Sequence, residues 1–246
     1  MTFPFERPLR LGSRMLLDFA LPPRCPGCAD IVAEVDEFCP TCWISIEWLG
    51  SGGCTICGLP LEGTDIDQCA RCLASPPPID RMRAAVAYGD VPRRLALRFK
   101  YGRKVALART MARYIAPLRD GEEALIVPVP LHRLRLWTRG FNQSSLIARE
   151  LGRRWDLPVA NELLRRVKPT QPLKGLNHIQ RRKAVAGAFR VAEGVRIDGQ
   201  TVVLIDDVLT SGSTAEGCAR ALRRAGAQRV ELFSWARVVR PAHLMR

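Results

Sequence analysis

The sequence predicts an α/β fold, a parallel sheet covered by helices on both faces, preceded by a small cysteine-rich piece. Three observations predict it. Eight cysteines repeat one spacing before residue 73, short apolar runs alternate with helical periodicity after residue 80, and the charge changes sign between the two regions. Residues 1–80 carry 5 Lys+Arg against 11 Asp+Glu, a net of −6; residues 81–246 carry 33 against 13, a net of +20. The chain's 246 residues suffice for one large domain or two smaller ones.

The cysteines come first. CPGC (Cys25, Cys28), CPTC (Cys39, Cys42), CTIC (Cys54, Cys57) and CARC (Cys69, Cys72) are separated by 10, 11 and 11 residues. A CxxC turn lets two thiolates reach one metal, and two such turns complete a tetrahedral site suited to zinc. The preferred pairing is two sequential zinc ribbons. The first uses Cys25, Cys28, Cys39 and Cys42, and the second Cys54, Cys57, Cys69 and Cys72. Cross-bracing of alternate turns is the alternative. Four thiolates leave no open position for water, so both zinc ions read as structural, and a segment this small should need them to fold. A disulfide framework would imply export. MLLDFALPP near the N-terminus is short and carries Asp18, which argues against a signal peptide and for a cytoplasmic protein. No apolar run approaches the roughly 20 residues of a membrane span. The negative charge of this piece would repel a phosphate backbone, which favours a protein-docking role. SPPPID (75–80) closes it as a stiff connector.

The basic piece follows. MRAAVAY (82–88) has strand character, and VPRRLALRFKYGRKVALARTMARYIAPL reads as two helices broken at Tyr101 and Gly102. ALIVPVP (124–130) is a short buried strand stopped by prolines. QSSLIARELGRRW (143–155) has helical spacing at Leu146, Ile147, Leu151 and Trp155, and VANELLRRV holds a further short strand. QTVVLID (200–206) is the clearest strand. STAEGCARALRRAGA (213–227) is a helix ending at Gly226 with Cys218 as a core residue, and RVELFSWARV (229–238) is the last strand. In such sheets ligands collect beyond the carboxyl ends of the strands, where residues 206–214 fall.

Those residues carry the chemistry. Asp206 and Asp207 end a buried strand, and Thr210, Ser211, Gly212, Ser213 and Thr214 form a glycine-hydroxyl loop at a helix N-terminus. Unpaired N–H groups and the helix dipole favour an anion there, and Gly212 admits close approach of the backbone. Two carboxylates upstream can accept hydrogen bonds from vicinal hydroxyls. A phosphate with a diol nearby describes a ribose 5-phosphate. The alternative is ordinary helix capping, which fits two consecutive acids poorly. The Walker pattern G-x-x-x-x-G-K-[ST] is absent.

LIDDVLTSGST resembles the ribose-phosphate loop of type I phosphoribosyltransferases. With VPVPLHRLRLWTRGFNQSSLIA, TQPLKGLNHIQRRKAVAGAF and the four CxxC pairs, the chain is identified as resembling the ComF family, named for a competence protein, over roughly residues 20–240. The resemblance implies a double zinc ribbon over residues 20–78 and a phosphoribosyltransferase type I-like domain over 82–240. It implies that Asp206 and Asp207 bind the ribose hydroxyls of phosphoribosyl pyrophosphate and that residues 210–214 hold its 5-phosphate. Ser211 replaces the commoner threonine or alanine. RGFNQ, with Arg139 and Asn142, resembles by position the pyrophosphate-contacting segment, with surface charge and a helix cap as the alternative. TQPLKGLNHIQRRKAV resembles the mobile loop that closes over substrate, where Lys174, Arg181 and Arg182 would neutralise the departing pyrophosphate; a solvated basic loop is the alternative.

Three functions stay open from the sequence. One is phosphoribosyl transfer to an unidentified acceptor, with magnesium on the pyrophosphate. Another is a non-catalytic accessory of DNA uptake. There the basic domain binds single-stranded DNA and the ribbons dock a partner such as a helicase. The last is a sensor that binds phosphoribosyl pyrophosphate without consuming it. The basic charge favours phosphate-bearing partners, although 33 of the 38 basic residues are arginine, which a compositional bias would also produce.

Overall fold

The computed structural model describes residues 22–61, 66–102, 104–121, 123–168, 180 and 185–239. The chain forms two compact units, Met1–Ser45 and Ile46–Arg246. In the smaller unit an antiparallel bridge between Arg24 and Ile31 brackets the first CxxC turn, closed by a 2.9 Å bond from the Ala29 N–H to the Cys25 carbonyl. The second turn opens helix α1 (Pro40–Ile44). Cys39 is its N-cap, proline holds the first turn and Cys42 faces inward.

The third and fourth cysteine pairs belong to the larger unit. Helix α2 (Ala70–Ala74) starts after Cys69 and buries Cys72. Strand β1 (Arg81–Ala87) leads into α3 (Asp90–Tyr101), α4 (Leu107–Ile115), β2 (Leu125–Pro128), α5 (Arg133–Arg139) and α6 (Gln143–Trp155). Short strands β3 (Leu164–Arg166) and β4 (Phe189–Val191) precede β5 (Thr201–Leu209), α7 (Ser213–Arg224) and β6 (Arg229–Arg237). The main sheet has the order β1-β6-β5-β2 with every pairing parallel, as the alternating pattern predicts. Its continuous apolar strands reflect burial on both faces. Val202, Leu204, Val230 and Leu232 join Cys218, Ala219 and Leu222 of α7 in one cluster. On the other face Phe233 meets Trp155 of α6 edge-on at 5.7 Å, and Trp235 lies 6.2 Å from Tyr114 of α4.

Cys54, Cys57, Cys69 and Cys72 share the α7-side cluster with Met82 and Ile79. A 2.6 Å bond from the Met82 N–H to the Ile56 carbonyl ties the third turn to β1. The contact boundary thus falls between the two cysteine quartets, and the limits 20–78 and 82–240 stand as a proposal about folding units.

Several elements differ from the sequence reading. β5 runs on to Leu209 instead of ending at Asp206, because Val208 and Leu209 keep pairing with Ala236 and Arg237 of β6. The strand in VANELLRRV forms, but in a separate antiparallel pair with β4. Helix α5 was not expected. It ends at Gly140, whose φ of +79° reverses the chain before α6. Helix α7 stops at Arg224, two residues before Gly226, which takes a φ of +101°.

Candidate functional site

The sulfur atoms of Cys25, Cys28, Cys39 and Cys42 lie within 4.8 Å of one another, and so do those of Cys54, Cys57, Cys69 and Cys72. Sequential pairing is therefore what the fold builds, and the cross-braced alternative falls. Neither quartet forms a disulfide. Burial opposes ionisation of Cys54, but N–H bonds from Cys57 and Cys69 outweigh it and bring that thiol down to about 6. Burial and then the neighbouring Cys57 push the Cys72 thiol well up. Four such sulfurs ionise together only around a cation, so the donor sets fit two structural zinc ions. The quartets differ in setting. Cys28 is exposed, whereas all four sulfurs of the second set are buried, with the Cys57 carbonyl and sulfur facing the Arg237 guanidinium.

The acid pair lies near the carboxyl end of β5. Ser144 Oγ at the start of α6 donates to Asp206 Oδ1 at 3.2 Å, and the Asp207 N–H donates to the same oxygen at 2.9 Å. Lys100, from the last turn of α3, places Nζ 2.8 Å from Asp207 Oδ2, an ion pair that charge rather than hydrogen-bond geometry maintains. Burial, followed by the Asp207 charge, pushes the Asp206 carboxyl up to about 7 against the pull of Lys100. Burial opposes the Lys100 charge, but Asp207 and Asp206 outweigh it and hold its pKa above the ordinary lysine value despite nearby Arg139.

Past β5 the chain turns through Thr210 and Ser211 to Gly212, which sits at φ +79° as the N-cap of α7. No side chain caps this helix, so its first N–H groups point into the loop. Ser211 and Ser213 hydroxyls lie 3.1 Å apart, Thr210 is exposed, and Thr214 belongs to the first helical turn. Arg71 of α2 donates to the Ser211 carbonyl and to Glu216 Oε1, both at 3.4 Å.

The other expected residues fall in two groups. Asn142 caps α6: its Oδ1 accepts from the Ser144 N–H at 3.1 Å and its Nδ2 donates to the Val129 carbonyl at 3.0 Å. Arg139 reaches Gln143 Oε1 at 3.3 Å and stacks on Tyr101, 5.5 Å from its centroid. A cleft of about 920 Å³ opens beside them, lined by Arg133, Asn142, Arg149, Arg165 and Arg166 among others. Lys174, Arg181 and Arg182 lie outside the described residues.

Sequence reasoning missed Lys100, Ser144, Arg71 and Glu216. A signal for Lys100 did exist: in a chain whose basic residues are nearly all arginine, a lysine beside Phe99 on an amphipathic helix is the exception. Replacing it tests the electrostatic description. Lys100→Met removes the attraction that keeps Asp206 from rising further. Binding of a diol-bearing ligand, which needs the ionised pair, should then set in above the wild-type midpoint near pH 7, while Lys100→Arg stays near it. Calorimetric affinities at several pH values read the shift; an unmoved midpoint in Lys100→Met would refute the coupling.

Residues 16–73 match the double zinc ribbon domain family and residues 157–239 the phosphoribosyl transferase domain family. Competence protein F of Haemophilus influenzae is 34% identical over 194 residues, covering 75% of this chain and 84% of that protein. DNA utilization protein YhgH of Escherichia coli is 32% identical over 198 residues, covering 76% and 84% respectively. Competence protein ComFC of Bacillus subtilis is 24% identical over 201 residues, covering 78% and 80%. With a four-thiolate double ribbon ahead of a parallel-sheet domain of phosphoribosyltransferase type, the chain belongs to the ComF family.

Proposed function

We propose that the protein binds phosphoribosyl pyrophosphate, or a related ribose 5-phosphate, and transfers its phosphoribosyl group to a nitrogen acceptor. The observation that carries this reading is a buried acid pair and an uncapped helix N-terminus following one another at the carboxyl end of a single strand. Asp206 and Asp207 accept the ribose hydroxyls, and residues 210–214 take the 5-phosphate. Magnesium would neutralise the pyrophosphate, with Arg139, Lys174, Arg181 and Arg182 supplying further positive charge. In the reaction the bond from the anomeric carbon to pyrophosphate breaks as the acceptor nitrogen attacks, and no covalent enzyme intermediate is needed. Positioning and charge neutralisation supply the catalysis. Binding without turnover would make the protein a sensor.

A second reading, a DNA-uptake accessory, draws support from one surface. Trp137 of α5 is 89% exposed and Tyr101 69% exposed, with Arg133 and Arg139 beside them. Exposed rings among arginines suit stacking on single-stranded nucleic acid, and the relatives' names tie them to competence and DNA utilization. The zinc ribbons would then dock a protein partner, and the cytoplasm would be the place of action.

Titration with phosphoribosyl pyrophosphate and magnesium, followed by an assay for pyrophosphate with a panel of nucleobases, tests the first reading. Saturable binding with pyrophosphate release supports transfer, saturable binding alone supports the sensor, and no binding refutes both. An oligonucleotide titrated at two salt concentrations tests the second. Salt-sensitive affinity that falls in Trp137→Ala supports it, and affinity independent of salt counts against it.

A further inference from the structure

We propose that the second zinc knuckle is part of the ligand site: Arg71, held between Cys69 and Cys72, and buried Arg237 complete the anion cradle of the 210–214 loop. This rests on the reading of that loop as a sugar-phosphate site.

The loop itself contains no cationic side chain. Helix N–H groups and hydroxyls can surround a phosphate, but they supply only partial charge against a ligand carrying nearly two negative charges. The compensating charge comes from another part of the chain. A groove of about 570 Å³ runs between the second cysteine quartet and the loop, lined by Arg71, Thr210, Ser211 and Arg237, with Pro76, Pro77 and Pro78 forming an apolar wall. Arg71 already spans the gap, donating to the Ser211 carbonyl and to Glu216. Its guanidinium keeps further donors, because five N–H groups are shared among few partners. Glu216 is itself buried and also meets Arg220 at 3.6 Å, so Arg71 is directed at the loop and not neutralised by a private carboxylate.

Arg237 is the second, independent observation. It is only 8% exposed and lines the same groove, and its Nε has no hydrogen-bond partner. Its other nitrogens face the Cys57 carbonyl and the Cys57 sulfur. A buried guanidinium with an unsatisfied donor beside an uncapped helix end is a site prepared for an anion. Both arginines are positioned by residues of the second quartet, so metal at that quartet fixes the charge that the loop lacks. Sequence reasoning separated the ribbons from the ligand chemistry; this geometry makes the second ribbon one wall of it.

The test uses the full-length, zinc-loaded chain. Ribose 5-phosphate and magnesium pyrophosphate are titrated separately into wild type, Arg71→Ala and Arg71→Lys, with zinc content measured for each. The expected result is about a tenfold loss of ribose 5-phosphate affinity in Arg71→Ala, the size of one charge-assisted hydrogen bond, partly restored by Arg71→Lys. Pyrophosphate affinity should not change, because pyrophosphate lies at the other end of the ligand. Equal ribose 5-phosphate affinity in wild type and Arg71→Ala, with two zinc ions retained in both, overturns the proposal. If Arg71→Ala sheds metal, Arg71→Gln at full zinc content is read against the same criterion. Failure of wild type to bind ribose 5-phosphate defeats the loop assignment itself, a distinct outcome.

Discussion

Replacing both aspartates, Asp206→Asn with Asp207→Asn, should abolish binding of phosphoribosyl pyrophosphate while leaving the chain folded. Each carboxylate accepting a hydroxyl is worth roughly 1.5–3 kcal/mol, so the pair accounts for about two to four orders of magnitude in affinity. Calorimetry reads the loss; affinity within a few-fold of wild type would end the assignment. The same change has an opposite effect on stability. The folded state raises the Asp206 carboxyl to about 7 from its ordinary 3.8, so the folded chain holds a proton that the unfolded chain has released between those values. Stability from this group therefore falls as pH rises from about 4 to about 7. Asp206→Asn alone should leave thermal stability unchanged near pH 4 and raise it on the order of 2 kcal/mol near pH 8. A gain in stability coupled to a loss of binding is the signature of a carboxylate held in place for a ligand. Asp207 differs, because Lys100 pairs with it and would be left buried without its counter-charge.

The second large effect concerns the two cysteine quartets. Cys69→Ser with Cys72→Ser should unfold the larger unit. A structural four-thiolate zinc site contributes ~10 kcal/mol or more, comparable with the ~5–15 kcal/mol that stabilises a whole domain. These cysteines sit in one apolar cluster with Met82, Leu204 and Leu232, so loss of metal leaves four sulfurs crowded inside the main core. Cys25→Ser with Cys28→Ser should disorder only the smaller unit, because that quartet is confined to Met1–Ser45. Thermal melts with amide spectra for both variants decide the matter. If the two pairs of changes have equal consequences, the ribbons fold together as one domain over residues 20–78. If they differ as expected, the second ribbon folds with the parallel sheet.

Much of this was legible in the chain, for physical reasons that can be named. The even CxxC spacing gave the metal chemistry, because a two-residue turn is the local geometry that aims two sulfurs at one point. The helix over Gln143–Trp155 was readable to the residue, since its apolar stripe and the Asn142 cap are both local signals. The end of β5 was not, because ladder bonds to β6 rather than local preference carry the strand past its aspartates. Helix α5 was hidden for a related reason: RLRLWTR has no clean amphipathic period.

What the sequence determined by itself was the parallel sheet, the two thiolate quartets and the acid-then-hydroxyl order of the loop, because each is written in spacing along the chain. Only the tertiary structure decided that Lys100 faces Asp207, that Ser144 holds Asp206, and that Arg71 crosses from the second knuckle to Ser211. Those partners are separated by 107, 62 and 140 residues. Charges so far apart in sequence meet only after the sheet has closed and excluded water between them, and no local pattern encodes that meeting.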